Sequence, residues 1–265
     1  MPANPSSPEH QPSQRADQSG LAEALRQGVL IATAILALTL PPQRAPVHPP
    51  GVSTNLPHNV RPAPRYADFG AEAASEDAQY IANWVADSGD NGNLAFVIID
   101  KKRTKIFVFD SSAKIVGATP VLIGAAPGDD SVTGIGQRPI AEVRPEERTT
   151  PAGRFRGEPG RNASGEDVVW VDYGAAVSMH RVRLGDPNDR RLERLATPTS
   201  DDNRISYGCI NIPVAFFDKV LSPMFRARYG VVYVLPEVKP VRQVFIDAYD
   251  PAEKYAATAL SALTR

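Results

Sequence analysis

The only cysteine of the 265-residue chain is Cys209, which lies in the hexapeptide Ser-Tyr-Gly-Cys-Ile-Asn that begins at Ser206. A thiol is a nucleophile only as its thiolate, and a free cysteine with a pKa of about 8.5 is mostly protonated at neutral pH. A histidine within hydrogen-bond reach can remove that proton. His180 is the one histidine outside the N-terminal and proline-rich segments. Together the two residues indicate nucleophilic chemistry, in which the sulfur attacks a carbonyl carbon and the imidazole takes the thiol proton.

The residues around the cysteine fit this chemistry. Gly208 has no side chain, so a substrate carbonyl can approach the sulfur closely. The backbone amides of Tyr207, Gly208 and Cys209 are predicted to form an oxyanion hole. The Ser206 hydroxyl is expected to hold the loop or to hydrogen-bond near the site. Asn211 has two open interpretations, contact with substrate or a bond to local backbone, because asparagine often bonds its own neighbours.

The segment after the hexapeptide predicts a helix, since Pro213 suits a first helical position and apolar residues follow at helical spacing. A helix N-terminus favours anions, so a thiolate directly before this helix would be stabilised. The alternative for Cys209 is a small buried apolar residue, which is a common role of free cysteine. One cysteine and one domain histidine are too few soft ligands for zinc, so no metal site is expected.

The net charge, the length and the cysteine count exclude several classes of protein. The net charge is −1, and no basic run with interleaved aromatic residues occurs, so no nucleic-acid partner is expected. The length suits one sizeable core with appendages. A single cysteine excludes an internal disulfide.

The N-terminal part is predicted to be an export and spacer region. Residues 1–20 are polar and are expected to be a disordered n-region. Residues 21–40 end in a continuous apolar run and are interpreted as a signal peptide or as a signal anchor in the membrane. A buried core helix is the alternative for this run. It is disfavoured because residues 41–70 form a proline-rich linker, which does not pack.

A packing helix is predicted within 71–92. Ser75 can cap it, and Gly89 can end it. One face at helical spacing is apolar and would pack on the following domain; it consists of Tyr80, Ile81, Trp84 and Val85.

The pattern then changes to β. Lys101, Lys102 and Arg103 are interpreted as a polar link between the first two strands. Short strands separated by polar turns are typical of an antiparallel sheet. His180 ends one strand, and the charged segment 181–204 after it is interpreted as a lid. A C-terminal tail over 238–265 includes a helix over 250–265. Strands are expected over 94–100, 104–110, 114–124, 168–172, 175–180 and 229–235, and the turn 149–155 leads into another.

The Ser-x-Gly-Cys-hydrophobic-Asn order, the upstream histidine and the Thr-Pro-Ala-Gly-Arg-Phe turn that begins at Thr150 resemble the L,D-transpeptidase (YkuD) catalytic domain. The resemblance covers roughly Leu94 to Pro236, most of the part expected to be ordered. It implies a catalytic domain over 93–237 that is mainly β with short helices and sandwich-like.

The resemblance also implies a function at the bacterial cell wall. Cys209 would attack a carbonyl of a peptidoglycan stem tetrapeptide, release the terminal D-alanine and pass the acyl group to an amine, giving a 3–3 cross-link. His180 would be the general base, oriented by a main-chain carbonyl near Arg181. The family uses no metal or organic cofactor, and carbapenems can acylate its cysteine. The expected protein is a monomer in the periplasm or cell envelope, anchored if residues 21–40 are retained.

Three features depart from the family pattern. Tyr207 stands where the family often has histidine, and Arg181 stands where glycine often follows the upstream histidine. The separation of His180 from Ser206 is also longer than usual, within the segment interpreted as a lid. Two alternatives therefore accompany the transpeptidase interpretation: a hydrolase on the same scaffold that cleaves wall links, and a catalytically inactive wall-binding module.

Overall fold

A computed structural model describes residues 63–226 and 228–263 of the protein. The predicted n-region (1–20), the signal or anchor segment (21–40) and most of the linker (41–70) lie outside these residues. Among the residues that are described, no helix is both long enough and apolar enough to cross a membrane.

The described residues contain ten strands and six α-helices. The strands are β1 (Phe96–Asp100), β2 (Lys105–Phe109), β3 (Ile115–Pro120), β4 (Ile123–Gly124), β5 (Gly153–Arg161), β6 (Asp167–Asp172), β7 (Val177–Arg181), β8 (Arg204–Ser206), β9 (Ile210–Ile212) and β10 (Gly230–Val234). The helices are α1 (Glu76–Ser88), α2 (Arg191–Ala196), α3 (Val214–Phe216), α4 (Ser222–Phe225), α5 (Val241–Val244) and α6 (Pro251–Leu263), and a π-helical turn (Phe217–Leu221) joins α3 to α4.

Helix α1 has the ends that its sequence predicts. The Ser75 hydroxyl accepts a hydrogen bond from the Ala78 amide at 3.1 Å, which caps the first turn. Gly89 ends the helix in the left-handed region at φ 72°, and its amide donates to the Val85 carbonyl. The predicted apolar face packs inward, with Ile81 and Val85 fully buried.

The strands form one eight-stranded sheet in the order β3-β2-β1-β10-β5-β6-β7-β9 and a two-stranded sheet of β4 and β8. The large sheet is mostly antiparallel, as expected, but β1 pairs with β10 and β7 pairs with β9 in parallel. Each of these pairs joins strands that are distant in the chain, so the connection is long enough to return the second strand in the same direction.

The large sheet is nearly closed. Leu122, which follows β3 at one edge, exchanges two backbone hydrogen bonds with Asn211 of β9 at the other edge. The mainly β fold class with short helices is therefore confirmed.

The two faces of the sheet bury separate cores, because successive side chains of a strand point to opposite sides. Val97 and Ile99 face the inner core, whereas Phe96 and Ile98 face an outer core that is covered by α1. The helical segment after β9 fills the inner core with three apolar side chains at intervals of one helical turn, and burial of each contributes roughly 1.5–3 kcal/mol. They are Phe217, Leu221 and Phe225.

A buried ammonium group follows β1. Lys101 is fully buried and its Nζ donates to Asp129 Oδ1 at 2.8 Å and to the Thr150 carbonyl at 2.8 Å. Residues 101–103 do link β1 to β2, as predicted, but Lys101 within this link is buried. The local sequence does not predict that Lys101 is buried and Lys102 is exposed, since both are lysines at a strand end.

The carboxylate of Asp129 compensates the free-energy cost of burying the Lys101 ammonium group, because the two form an ion pair. Burial by itself raises the pKa of Asp129, but hydrogen bonds from Lys101 and from the amides of Lys239 and Glu237 outweigh it and hold the pKa at about 2. The stability contributed by the ionised carboxylate is complete above its unfolded pKa of about 3.9 and is lost as the pH falls towards about 2.

We expect Lys101→Met to lower the free energy of unfolding by roughly 3–5 kcal/mol, because it leaves a buried carboxylate without its cation. Lys102→Met is the matched control. Its side chain is 50% exposed and pairs with Asp77, so it should cost less than about 1 kcal/mol. Urea denaturation at neutral pH measures both variants, and equal losses would contradict the assigned role of Lys101.

Candidate active site

Cys209 lies in the short loop between β8 and β9. Strand β9 pairs in parallel with β7, in a register that places His180 opposite Asn211. Because the side-chain period of a strand is two, Ser178 and His180 share one face of β7, and the loop brings Cys209 to that face. The Ser178 hydroxyl oxygen lies 3.8 Å from the Cys209 sulfur. The strand pairing thus brings together His180 and Cys209, which are 29 positions apart in the sequence.

Cys209 and His180 line the same surface groove, which has a volume of about 440 Å³. The sulfur is partly exposed and donates to the Ala176 carbonyl at 3.5 Å. Cys209 is therefore not the buried apolar residue of the alternative interpretation. The other groove-lining side chains that matter below are Trp170, Arg183, Arg191 and Tyr207.

The tautomer of His180 follows from its one close contact. Nδ1 lies 2.7 Å from the Arg181 carbonyl oxygen, which can only accept a hydrogen bond, so Nδ1 carries the hydrogen and donates it. In the neutral ring Nε2 is then free to accept a proton. The prediction that a main-chain carbonyl at Arg181 orients this histidine is confirmed.

The electrostatic environment keeps the imidazole neutral. Burial is the largest influence and lowers the pKa of His180, and the positive charges of Arg183 and Arg191 lower it further. The hydrogen bond to the Arg181 carbonyl and the charge of Glu166 act in the opposite direction without overcoming these effects. His180 is therefore an unprotonated base at neutral pH.

The thiol and the imidazole share the groove without bonding each other directly. Among the hydrogen bonds of the described residues, the thiol donates to Ala176 and none joins it to His180. Hydrogen bonds between catalytic groups are often long in ligand-free sites and tighten when substrate binds.

Ser206 and Asn211 hold the cysteine loop. The Ser206 hydroxyl accepts from the Gly208 amide at 3.0 Å and donates to the Cys209 carbonyl at 2.6 Å. Asn211 is 1% exposed, and its Nδ2 donates to the same carbonyl at 3.2 Å. Of the two interpretations of Asn211, the bond to local backbone is the one the structure supports, and Ser206 likewise holds the loop.

Two expectations about this loop are wrong. The Gly208 amide is already bonded to Ser206, so it is not available as an oxyanion donor. The helix after Pro213 does not adjoin the sulfur either, because the three residues of β9 lie between them. At about 3.3 Å per strand residue, this separates the helix N-terminus from Cys209 by roughly 10 Å.

The segment interpreted as a lid is tied to the cysteine loop. Within it, a 3-10 turn (Pro187–Asp189) leads into α2, and Arg191 of α2 donates from Nη1 to Asn211 Oδ1 at 3.1 Å. Arg183, which pairs with Glu166, also lines the groove. Sequence reasoning missed both arginines, and the only signal was the abundance of arginine in a poorly periodic segment.

The side chain of Tyr207 lines the groove together with Cys209 and His180. It is 41% exposed and its ring lies against the Arg148 guanidinium, with the guanidinium carbon 4.1 Å from the ring centroid. Tyr207 thus forms a rim of the groove. Across residues 63–226 and 228–263, no group of three or more histidine, cysteine, aspartate or glutamate side chains could hold a metal ion.

Comparison with known proteins finds structural neighbours only. No family model matches the chain, and no curated protein matches it. It is similar to the helical cell shape determining protein Pgp2 from Campylobacter jejuni, with 15% identity over 55% of this chain and 49% of that chain and a TM-score of 0.36. An L,D-transpeptidase from Xylanimonas cellulosilytica has 14% identity over 53% of this chain and 60% of that chain, with a TM-score of 0.33.

The catalytic domain of the E. faecium L,D-transpeptidase has 16% identity over 53% of this chain and 96% of that domain, with a TM-score of 0.32. The chain spans about half of the Pgp2 structure and three fifths of the Xylanimonas structure. Two of these three neighbours are L,D-transpeptidases, and all three match at low identity and with partial coverage of this chain. At these values the function has to be argued from the groove itself.

We expect Gly208→Ala to lower the free energy of unfolding by roughly 2–5 kcal/mol, from backbone strain and from overpacking. Gly208 has φ 123°, and an added Cβ would lie 2.7 Å from the Thr149 carbonyl oxygen. Gly89→Ala is the control, because Gly89 also has a positive φ but open space around it, so only the left-handed backbone costs roughly 1–2 kcal/mol. Chemical denaturation compares them, and a loss no larger at Gly208 would refute the close approach to Thr149.

Proposed function

We propose that the protein is a cysteine-dependent acyltransferase of the L,D-transpeptidase class that acts on peptidoglycan stem peptides. The observation that carries the proposal is the groove shared by a partly exposed thiol and a neutral imidazole whose Nδ1 is committed to the Arg181 carbonyl. In this arrangement Nε2 is the only ring nitrogen that can take the proton of Cys209.

The first half-reaction forms a thioester. Nε2 of His180 removes the thiol proton, and sulfur attacks the carbonyl carbon at the L-centre of the diamino acid in the stem peptide. The amides of Tyr207 and Cys209 stabilise the oxyanion, since the Gly208 amide is bonded to Ser206. The bond from carbon to the D-alanine nitrogen then breaks, and His180 returns the proton to that nitrogen.

The second half-reaction transfers the acyl group. His180, neutral again, accepts a proton from the incoming amine as its nitrogen attacks the thioester carbonyl. The bond from carbon to sulfur breaks and the new amide is the cross-link, and His180 returns its proton to the sulfur, which regenerates the thiol. Transfer requires that an amine reach the thioester in preference to water.

The charge of the groove supports an anionic substrate. Arg183 and Arg191 both line it, and the side chain of Arg191 is only 16% exposed. Stem peptides carry carboxylates, which guanidinium groups recognise with charge-assisted hydrogen bonds. The indole of Trp170 supplies an apolar wall for the peptide chain.

The proposal includes an envelope location. Residues 93–237 would be the catalytic domain, with 71–92 as its packing helix and 238–265 as a C-terminal tail. Residues 21–40 would direct export and, if retained, anchor the chain to the membrane, and 41–70 would let the catalytic domain reach the wall. The active form would be a monomer without metal or organic cofactor.

We expect a carbapenem to acylate the protein once, at Cys209. The thiolate opens the β-lactam ring, its nitrogen takes the proton, and the protein gains the mass of the whole drug. Cys209→Ala should give no adduct, and His180→Gln should acylate about 10²–10⁴ times more slowly, because the general base is gone. Intact-mass spectrometry over time measures both, and an unchanged rate in His180→Gln removes that residue from the mechanism.

The same assay gives a pH test. Because the pKa of His180 is lowered, the neutral base persists as the pH falls to below the ordinary histidine value of about 6.5. The acylation rate should therefore fall only at pH values below about 6.5, where His180 becomes protonated. This fall should be absent in His180→Gln. A fall that begins above that value would contradict a buried neutral imidazole.

We expect a purified disaccharide tetrapeptide to give cross-linked dimers with release of D-alanine. Liquid chromatography with mass spectrometry separates the outcomes. Dimers support transfer, and the shortened tripeptide alone supports the hydrolase. Neither product from folded protein supports the inactive wall-binding module, with Cys209→Ala as the blank in every case.

A further inference from the structure

Thr150 lies beneath the cysteine loop and outside the groove. It is 1% exposed, and its hydroxyl bridges two backbone groups. Oγ1 accepts from the Gly124 amide at 2.9 Å and lies 2.8 Å from the Gly208 carbonyl oxygen. No step of the proposed reaction uses this side chain.

The direction of the second bond is determined by the first. The Gly124 amide can only donate, so it occupies a lone pair of Oγ1. The Gly208 carbonyl can only accept, so the hydroxyl hydrogen of Thr150 points to it. Because this buried hydroxyl accepts one hydrogen bond and donates another, it cannot rotate without losing one of them.

Holding the Gly208 carbonyl also orients the Cys209 amide. The two groups belong to one planar trans peptide, in which C=O and N–H point in opposite directions. Because the carbonyl is turned inward to Thr150, the Cys209 N–H is turned outward, away from the core. In the described part of the chain, no backbone acceptor takes up that amide hydrogen.

The backbone of Thr150 is itself rigid. Its carbonyl accepts from the buried Lys101 Nζ at 2.8 Å, and Lys101 is paired with Asp129. The preceding carbonyl, that of Thr149, leaves no room for a side chain at Gly208. The peptide between Gly208 and Cys209 is thus fixed from below by groups that belong to the sheet.

We propose that Thr150 is a positioning residue that aims the Cys209 amide at the oxyanion formed during acyl transfer. The inference rests on the proposed function. When the sulfur–carbon bond forms, the π electron pair of the carbonyl moves to oxygen, where the Cys209 N–H stabilises it. When the carbon–nitrogen bond breaks, the pair on oxygen restores the carbonyl, and the leaving nitrogen takes its proton from His180. Thr150 exchanges no atom in either step.

The test uses two reactions of the same sulfur in the full chain. Acylation by meropenem passes through an oxyanion, whereas alkylation by iodoacetamide displaces iodide at a saturated carbon and forms none. Deleting an oxyanion donor costs about 10²–10³ in rate, and misaiming one should cost less, so Thr150→Val should slow acylation about 10- to 100-fold. Its alkylation rate should stay within about twofold, because the sulfur is untouched.

Two variants serve as controls. Thr150→Ser keeps the hydroxyl and should retain acylation within about threefold, because its oxygen can make the same two bonds. Thr104→Val removes an equally buried hydroxyl, which accepts from Asn203 Nδ2 away from the groove, and should leave both rates unchanged. If Thr150→Val does not fold, Thr150→Ala removes the same hydroxyl and is measured in the same two reactions.

Each outcome is informative. Slow acylation with normal alkylation in Thr150→Val, rescued in Thr150→Ser, supports the inference. Acylation at the rate of the unmodified chain, or equal losses in both reactions, overturns it while leaving the proposed function standing. Absence of acylation in the unmodified chain overturns the proposed function, and the inference falls with it.

Discussion

The parallel pairing of β7 with β9 is the constraint on which the site depends. Its register sets His180 opposite Asn211, so Ser178, His180 and the Cys209 loop share one surface. A slip of one residue would turn the imidazole to the other face of the sheet, since the side-chain period is two. The register is in turn protected by the inner core, where Met179 and Ile210 are fully buried.

The cysteine loop is rigid because its polar groups are satisfied by the protein beneath it. Ser206 and Asn211 hold one carbonyl, and Thr150 holds another, with the buried Lys101 behind it. The loop is thus held from beneath, while the thiol of Cys209 stays partly exposed. The charged segment 181–204 contributes from the other side, since Arg191 reaches Asn211 and adds positive charge beside His180.

Much of the local structure could be predicted from residue patterns. Helix α1 was predictable at both ends because Ser75 and Gly89 act on their immediate neighbours. Most strands were predictable in place, because apolar runs and polar turns are local features, but β8 and β9 on either side of Cys209 were not predicted. The proposed chemistry comes from Cys209 and His180, because a thiol and an imidazole have few other joint uses. The resemblance to L,D-transpeptidases depended on these two residues together with the rest of the hexapeptide and the turn that begins at Thr150.

The sequence by itself thus determined the reactive residue types, the helix caps and the mainly β character. Only the tertiary structure decided which strands are parallel, that β9 separates Cys209 from the helix after Pro213, and that the Gly208 amide is occupied. It also decided that Lys101 is buried, while its neighbour Lys102 stays in solvent. The physical reason is the sequence separation over which each interaction acts. Helix caps and turns act within a few residues, whereas burial, strand pairing and the charge around a side chain depend on groups that are far apart in the sequence.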